Sequence, residues 1–163
     1  MTLLDVASVA LFVILGFVES KRSAPTAAVD LGLALIGLSI AKRLAVAGIL
    51  TTMSVGAGFA LWFVLLMIVA GIAGWVFDNH TKWDIGPYDG PLAGILGTIT
   101  GLVLAHGMFH TAVLMGGDAA AMMKASLLSG EIYNLNTLKA IGGMFGNLGS
   151  GPRIGDEVKD QMQ

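Results

Sequence analysis

Cysteine is absent, and with it a disulfide scaffold, a thiolate zinc site, an iron–sulfur cluster and a cysteine nucleophile. Charge is scarce too. Asp, Glu, Lys and Arg make up 12% of the 163 residues, against roughly 25% in an average soluble domain. So few polar groups cannot cover the surface of a water-soluble globule, and the composition also excludes a disordered chain and a coiled coil. The net charge is −2, the pI is near 5.8, and no basic stripe is present, so no nucleic-acid partner is expected. Catalytic signatures are missing: there is no G-x-x-x-x-G-K-[ST] phosphate loop, no H-E-x-x-H helix and no G-x-S-x-G elbow. The expectation is a non-enzymatic protein with no catalytic residue, metal site or cofactor of its own.

What the chain does have is oil. Hydrophobic residues reach 55%, with a mean hydropathy of +0.80. A helix needs roughly 20 apolar residues to cross about 30 Å of hydrocarbon. Ser54 to Phe77 meets that without one charged side chain, and Leu92 to Gly117 does so with two His as its only ionisable groups. Leu3 to Val18 and Thr26 to Ala41 are each a few residues short. Each carries one acid (Asp5, Asp30) and is followed by a basic pair (Lys21-Arg22, Lys42-Arg43) whose charge can snorkel to the headgroups. A signal peptide competes for the first segment, but Asp5 stands where a basic residue belongs and no A-x-A site follows.

The fold expected is all-α: an integral membrane bundle of four transmembrane helices over residues 1–117. An amphipathic or interfacial helical segment follows over 118–145, then a loose tail over 146–163. Ser23-Ala24-Pro25 separates the first two helices, and Leu44 to Met53 either lies at the interface or lengthens the third. The polar connection Asp78 to Pro91 places Trp83 and Tyr88 at headgroup depth. Asp118 opens a short helix as N-cap, and Leu135, Leu138, Ile141 and Phe145 recur at helical spacing. Basic residues in the connections weigh slightly toward both termini in the cytoplasm.

Few residues invite chemistry. Gly94, Gly97 and Gly101 run as GxxGxxxG, a face that lets another helix approach closely. Packing within the chain is the first reading and a homo-oligomer seam the second. Gly32 and Gly37, and Gly74 with Ala70, offer similar surfaces. His106 and His110, four apart, share one face of the last span. Hydrogen bonding to another helix is the plain reading for an imidazole in hydrocarbon. Ligation of haem iron, chlorophyll magnesium or another metal is the sharper one. His80 is expected in the polar loop, facing water. Asp5 and Asp30 are read as carboxylates at helix N-termini, with a proton or ion relay as alternative if they converge with the His pair. Asp78, Asp84 and Asp89 supply hard oxygen ligands without EF-hand spacing, so a solvated loop is expected.

The layout resembles the CvpA family, the colicin V production proteins of bacterial inner membranes. The likeness rests on Leu4-Asp5-Val6, Gly16 ahead of Lys21-Arg22, Asp30 leading to Ala41-Lys42-Arg43, and Ile85-Gly86-Pro87-Tyr88-Asp89-Gly90-Pro91 ahead of Gly94, Gly97 and Gly101. Ser126 matches a Ser of the family's C-terminal segment. It spans residues 3 to 128. Glu19-Ser20-Lys21-Arg22 replaces the Arg-Gly pairs common in the family, and the two His lie outside its pattern. The resemblance implies a multi-pass inner-membrane protein linked to colicin V production or export and to the cell envelope. Its partners would be the lipid bilayer and other membrane proteins or further copies of itself. Two alternatives stand beside it: an accessory subunit of a respiratory or photosynthetic complex touching haem or pigment through His106, and a transporter or channel component.

Overall fold

The computed structural model describes residues 1–48, 53–81, 83 and 85–134. Every regular element among them is helical: α1 (Leu3–Glu19), α2 (Ala24–Val46), α3 (Val55–His80), α4 (Asp89–Met115), α5 (Gly117–Lys124) and α6 (Ser129–Asn134). Helix starts follow the hydroxyl residues. Thr2 and Asp5 form a capping box at α1, Ser23 caps α2 with Pro25 in the first turn, and Ser54 caps α3 through the Ala57 amide. α4 begins at Asp89 without a side-chain cap and ends where Gly116 and Gly117 take φ of +71° and +55°, which turns the chain sharply into α5.

Three helices, α2, α3 and α4, are long and apolar enough to cross a membrane, and the chain is a multi-pass membrane protein. α1 is shorter: its 17 residues rise about 25 Å. α2 absorbs Leu44 to Val46, so the apolar stretch after Arg43 first lengthens the second helix, not the third.

α4 is the hub. It packs on α1, α2 and α3 and, beyond them, on α5 and α6. Phe59, Phe63, Leu38 and Val103 fill the space among α2, α3 and α4, while Ala105, Phe109 and Ile132 join α4 to α6. The outward faces stay apolar: Val9, Val13 and Phe17 on α1, and Val64, Ile68, Val69 and Ile72 on α3, are exposed.

Two expectations about ends are corrected. Asp118 is not an N-cap; Gly116 is, so α5 starts two residues earlier and leaves Asp118 in the first turn. His80 is not in a loop but closes α3, exposed, with Nδ1 2.8 Å from the Val76 carbonyl. Trp83 and Tyr88 are exposed. Leu135, Leu138, Ile141, Phe145 and the tail lie outside the described residues, as does Asp84.

Candidate functional site

The polar residues of the bundle gather at its two ends. At one end, α1 finishes, α2 begins, α3 finishes and α4 begins. Arg22, in the connection between α1 and α2, is the centre. Its Nη1 donates to Glu19 Oε1 at 2.9 Å and to Asp30 Oδ2 at 2.5 Å. Its Nη2 donates to the Gly74 carbonyl at 3.1 Å, and its Nε stands 3.5 Å from Asp78 Oδ2. Asp78 also accepts from the Thr26 hydroxyl at 3.0 Å, and Asp89 accepts from the Ala24 amide at 2.6 Å. Burial works against the charge on Arg22, but Asp30 and Glu19 outweigh it and raise its pKa further above the usual arginine value.

Helix spacing explains the convergence. α2 and α3 run antiparallel, so Thr26 meets Asp78, Asp30 meets Gly74 and Gly37 meets Met67. Gly74 carries no side chain where Asp30 needs room: a methyl there would overlap Asp30 Oδ1. On α4, Gly97 makes room for Glu19 in the same way, since a Cβ would stand 2.6 Å from that of Glu19. A cavity of about 210 Å³ continues from Glu19 and Asp30 into the bundle, walled by Leu15, Ala34, Met67 and Thr100 among others.

At the other end, His106 is buried between two partners. Its Nδ1 lies 3.0 Å from the Ile132 carbonyl, which only accepts, so Nδ1 carries the proton and Nε2 is left to accept from Lys42 Nζ at 3.2 Å. His110 stacks on His106 with ring centroids 6.1 Å apart, and Tyr133 stacks on both at 6.0 and 6.2 Å. Phe59 meets His110 edge-on at 5.0 Å. A haem or chlorophyll ligand offers an open ring nitrogen; both nitrogens of His106 are engaged. No three His, Asp or Glu side chains converge as a metal site among the described residues.

Asp5 belongs to this second end. It accepts from the Thr2 amide at 2.6 Å and completes the cap of α1. It also accepts from the Ser126 hydroxyl and from the amides of Leu128 at 3.1 Å and Leu127 at 3.4 Å, which docks the turn between α5 and α6 on the start of α1. Asp30 departs from the reading that put it at a helix N-terminus. Ser23 and Pro25 start α2 six residues earlier, so Asp30 lies past the first turn and its partner is Arg22. The four groups weighed as one relay therefore do not meet. Lys42 beside His106 is twelve residues on from Asp30, about 18 Å along α2.

The glycines sort by neighbour. Gly94, Gly97 and Gly101 face α1, whose backbone comes close: methyl groups on them would stand 3.3 Å from Gly16 O, 2.5 Å from Leu15 O and 3.0 Å from Leu11 O. Gly37 faces Met67 of α3, and Gly32 faces open space. Of the acidic loop, Asp78 and Asp89 both bond the first turn of α2, through the Thr26 hydroxyl and the Ala24 amide. The sequence alone does not single out Glu19, Arg22 or Lys42 as functional residues, and it reads Asp78 as an acid of a solvated loop. Glu19 and Arg22, three apart at the end of an apolar run, were the available signal.

No protein-family model matches the chain, and neither a curated protein nor a solved structure shows detectable similarity to it.

Proposed function

We propose that this chain is a non-enzymatic, four-span protein of a bacterial inner membrane, resembling CvpA and serving as an accessory part in colicin V production or export. One observation carries the reading: residues singled out for their order along the chain meet in space. Asp5 bonds Ser126, Gly16 packs on Gly94 and Thr98, and Gly97 and Gly101 receive α1. That order of residues makes physical sense when they are the joints of one bundle.

α1 supplies the fourth span. Its close seat on α4 and its exposed Val6, Val9, Val13, Ile14 and Phe17 suit lipid on its outer face. Lys21, just beyond its end, reaches the headgroups and offsets its short length. Both termini then lie in the cytoplasm, and partners are membrane proteins or further copies that meet the apolar outer faces. The Gly94–Gly101 face is taken up inside the chain, so an oligomer uses another seam. The reading with haem or pigment at His106 is the weaker one, because Lys42 and Ile132 already hold that ring.

The natural absence of cysteine makes the test clean. Single cysteines at Thr2, Lys21, Met53 and Tyr88 are labelled from one side of sealed vesicles. Four spans put Thr2 and Met53 on one side and Lys21 and Tyr88 on the other; Thr2 and Lys21 on the same side would refute the fourth span. For the role, the chain is expressed in a colicin V-producing bacterium lacking its own CvpA. Restored colicin release supports the proposal, and a correctly inserted chain that restores none overturns it.

A further inference from the structure

Two carboxylates share one guanidinium nitrogen at the end of the bundle where α1 closes and α2 opens. Glu19 and Asp30 bring two negative charges to Arg22, which brings one positive charge. The other packed elements do not correct the imbalance. α3 contributes Asp78, a further acid, one-third exposed and bonded to Thr26. α4 contributes Asp89, engaged by the Ala24 amide, and Thr100, whose hydroxyl donates to the Leu96 carbonyl. Among the described residues Arg22 is the only cation within ion-pair distance of these acids.

One negative charge is therefore left over where Glu19 is 5% exposed and the Asp30 side chain 13%. Like charges on one buried site do not both ionise without a large penalty. The unused capacity can be located: Glu19 Oε2 and Asp30 Oδ1 are both buried and lack a hydrogen-bond partner. Both residues line the cavity of about 210 Å³ that reaches Thr100 between the four long helices. A metal cation in oxygen coordination takes about six ligands. Here two free carboxylate oxygens and one hydroxyl stand among Leu15, Ala34, Met67, Ala70 and Leu104. A proton needs a single oxygen.

We propose that Glu19 and Asp30 together bind one proton, forming a proton-binding site that opens into the interior cavity. The proton comes from hydronium in the solvent, where one O–H bond breaks and water is left, and it forms one O–H bond on a carboxylate oxygen. The trio of Glu19, Asp30 and Arg22 then carries no net charge, and Arg22 stays a cation bonded to both side chains. Gly74 is a positioning residue, because its missing side chain is what admits Asp30 beside the guanidinium.

The test uses the full chain in lipid nanodiscs and follows the infrared carbonyl stretch of protonated carboxylic acids against pH. Expected is a protonated-carboxyl signal that persists at pH 7, well above the ordinary carboxylate range of about 4. It disappears in E19Q and in D30N, each of which leaves one acid for one arginine. No such signal at pH 7, or one that survives both substitutions, overturns the proposal. Thermal melting adds a readout that plain ion pairing would not give. Gln has the shape of a protonated Glu, so E19Q melts with the wild-type chain at pH 7; a marked fall would mean that an ionised Glu19 was needed. If E19Q or D30N does not fold, E19D keeps a titrating group and shifts the signal's midpoint; an unmoved midpoint overturns the site. Replacing choline chloride with sodium or potassium chloride leaves the melt unchanged. A saturable rise that E19Q abolishes would identify a metal-cation site and overturn the assignment.

Discussion

Adding one methyl group to Gly97 tests the seat of α1 directly. The new Cβ would stand 2.5 Å from the Leu15 carbonyl oxygen and 2.6 Å from Glu19 Cβ. Non-bonded heavy atoms settle at about 3.5–4.0 Å, so the neighbours must retreat by roughly an ångström. The carbonyl is main chain inside a helix and cannot rotate away. α1 as a whole has to move, loosening its contacts at Gly94 and Gly101. Overpacking of this kind costs about 1–3 kcal/mol, while Gly→Ala inside a helix returns up to about 1 kcal/mol through backbone entropy. The net expectation for Gly97→Ala is a loss of up to about 2 kcal/mol, and for the bulkier Gly97→Val a larger one. Two other glycines calibrate the series. Gly101 meets its nearest atom at 3.0 Å, so Gly101→Ala should fall between; Gly32 meets nothing within 4 Å, so Gly32→Ala should be neutral or stabilising. Reversible unfolding in mixed micelles, driven by added SDS and read by circular dichroism, ranks all four variants. The reasoning is wrong if Gly97→Ala matches the wild-type chain, or if Gly32→Ala is as damaging as Gly97→Ala.

Removing Arg22 strands the negative charge that Glu19 and Asp30 share, and Arg22→Met should cost about 3–5 kcal/mol in the same unfolding assay. Adding E19Q and D30N to it should recover much of that loss; no recovery would mean the damage lies elsewhere than charge. Asp5→Ala deletes the carboxylate half of the α1 capping box and the dock for the turn before α6, for a loss of about 1–3 kcal/mol. Hydrogen exchange should accelerate at the Leu127 and Leu128 amides and stay unchanged at the Arg22 end; uniform acceleration would contradict a local clasp. His106→Ala leaves Lys42 Nζ and the Ile132 carbonyl without their partner, at about 1–3 kcal/mol. Proteolysis should then cut sooner around α6, and an unchanged digestion pattern would show that His106 does not hold that helix.

Some of this was legible from the residues alone. The uncharged run from Ser54 reads as a span because an apolar stretch that long has no other stable home, and it is α3. Pro25 cannot sit inside a helix but suits a first turn, and α2 does start there. A GxxGxxxG pattern says that some helix comes close, and it is α1 that lies along Gly94, Gly97 and Gly101. What stayed hidden depends on register between helices. Nothing local tells that Asp30 will stand level with Gly74, 44 positions later, or that Arg22 will reach across to both. Asp30 reads as a helix-start acid when the apolar span is opened at Thr26, whereas α2 begins at Ala24. The role of His106 was out of reach for the same reason, since its partners are Lys42 on another helix and a carbonyl 26 residues downstream.

The order in which the partners of α1 are synthesised matters. α2 and α3 are neighbours along the chain and can pair as soon as both have left the ribosome. The first helix has its mate in the fourth, so its seat does not exist until some hundred residues have been made, and its clasp at Ser126 appears later still. For that interval a short apolar rod with an acidic residue near each end waits beside the hairpin. A ribosome stalled before residue 101 would leave α1 without the glycine face it packs on.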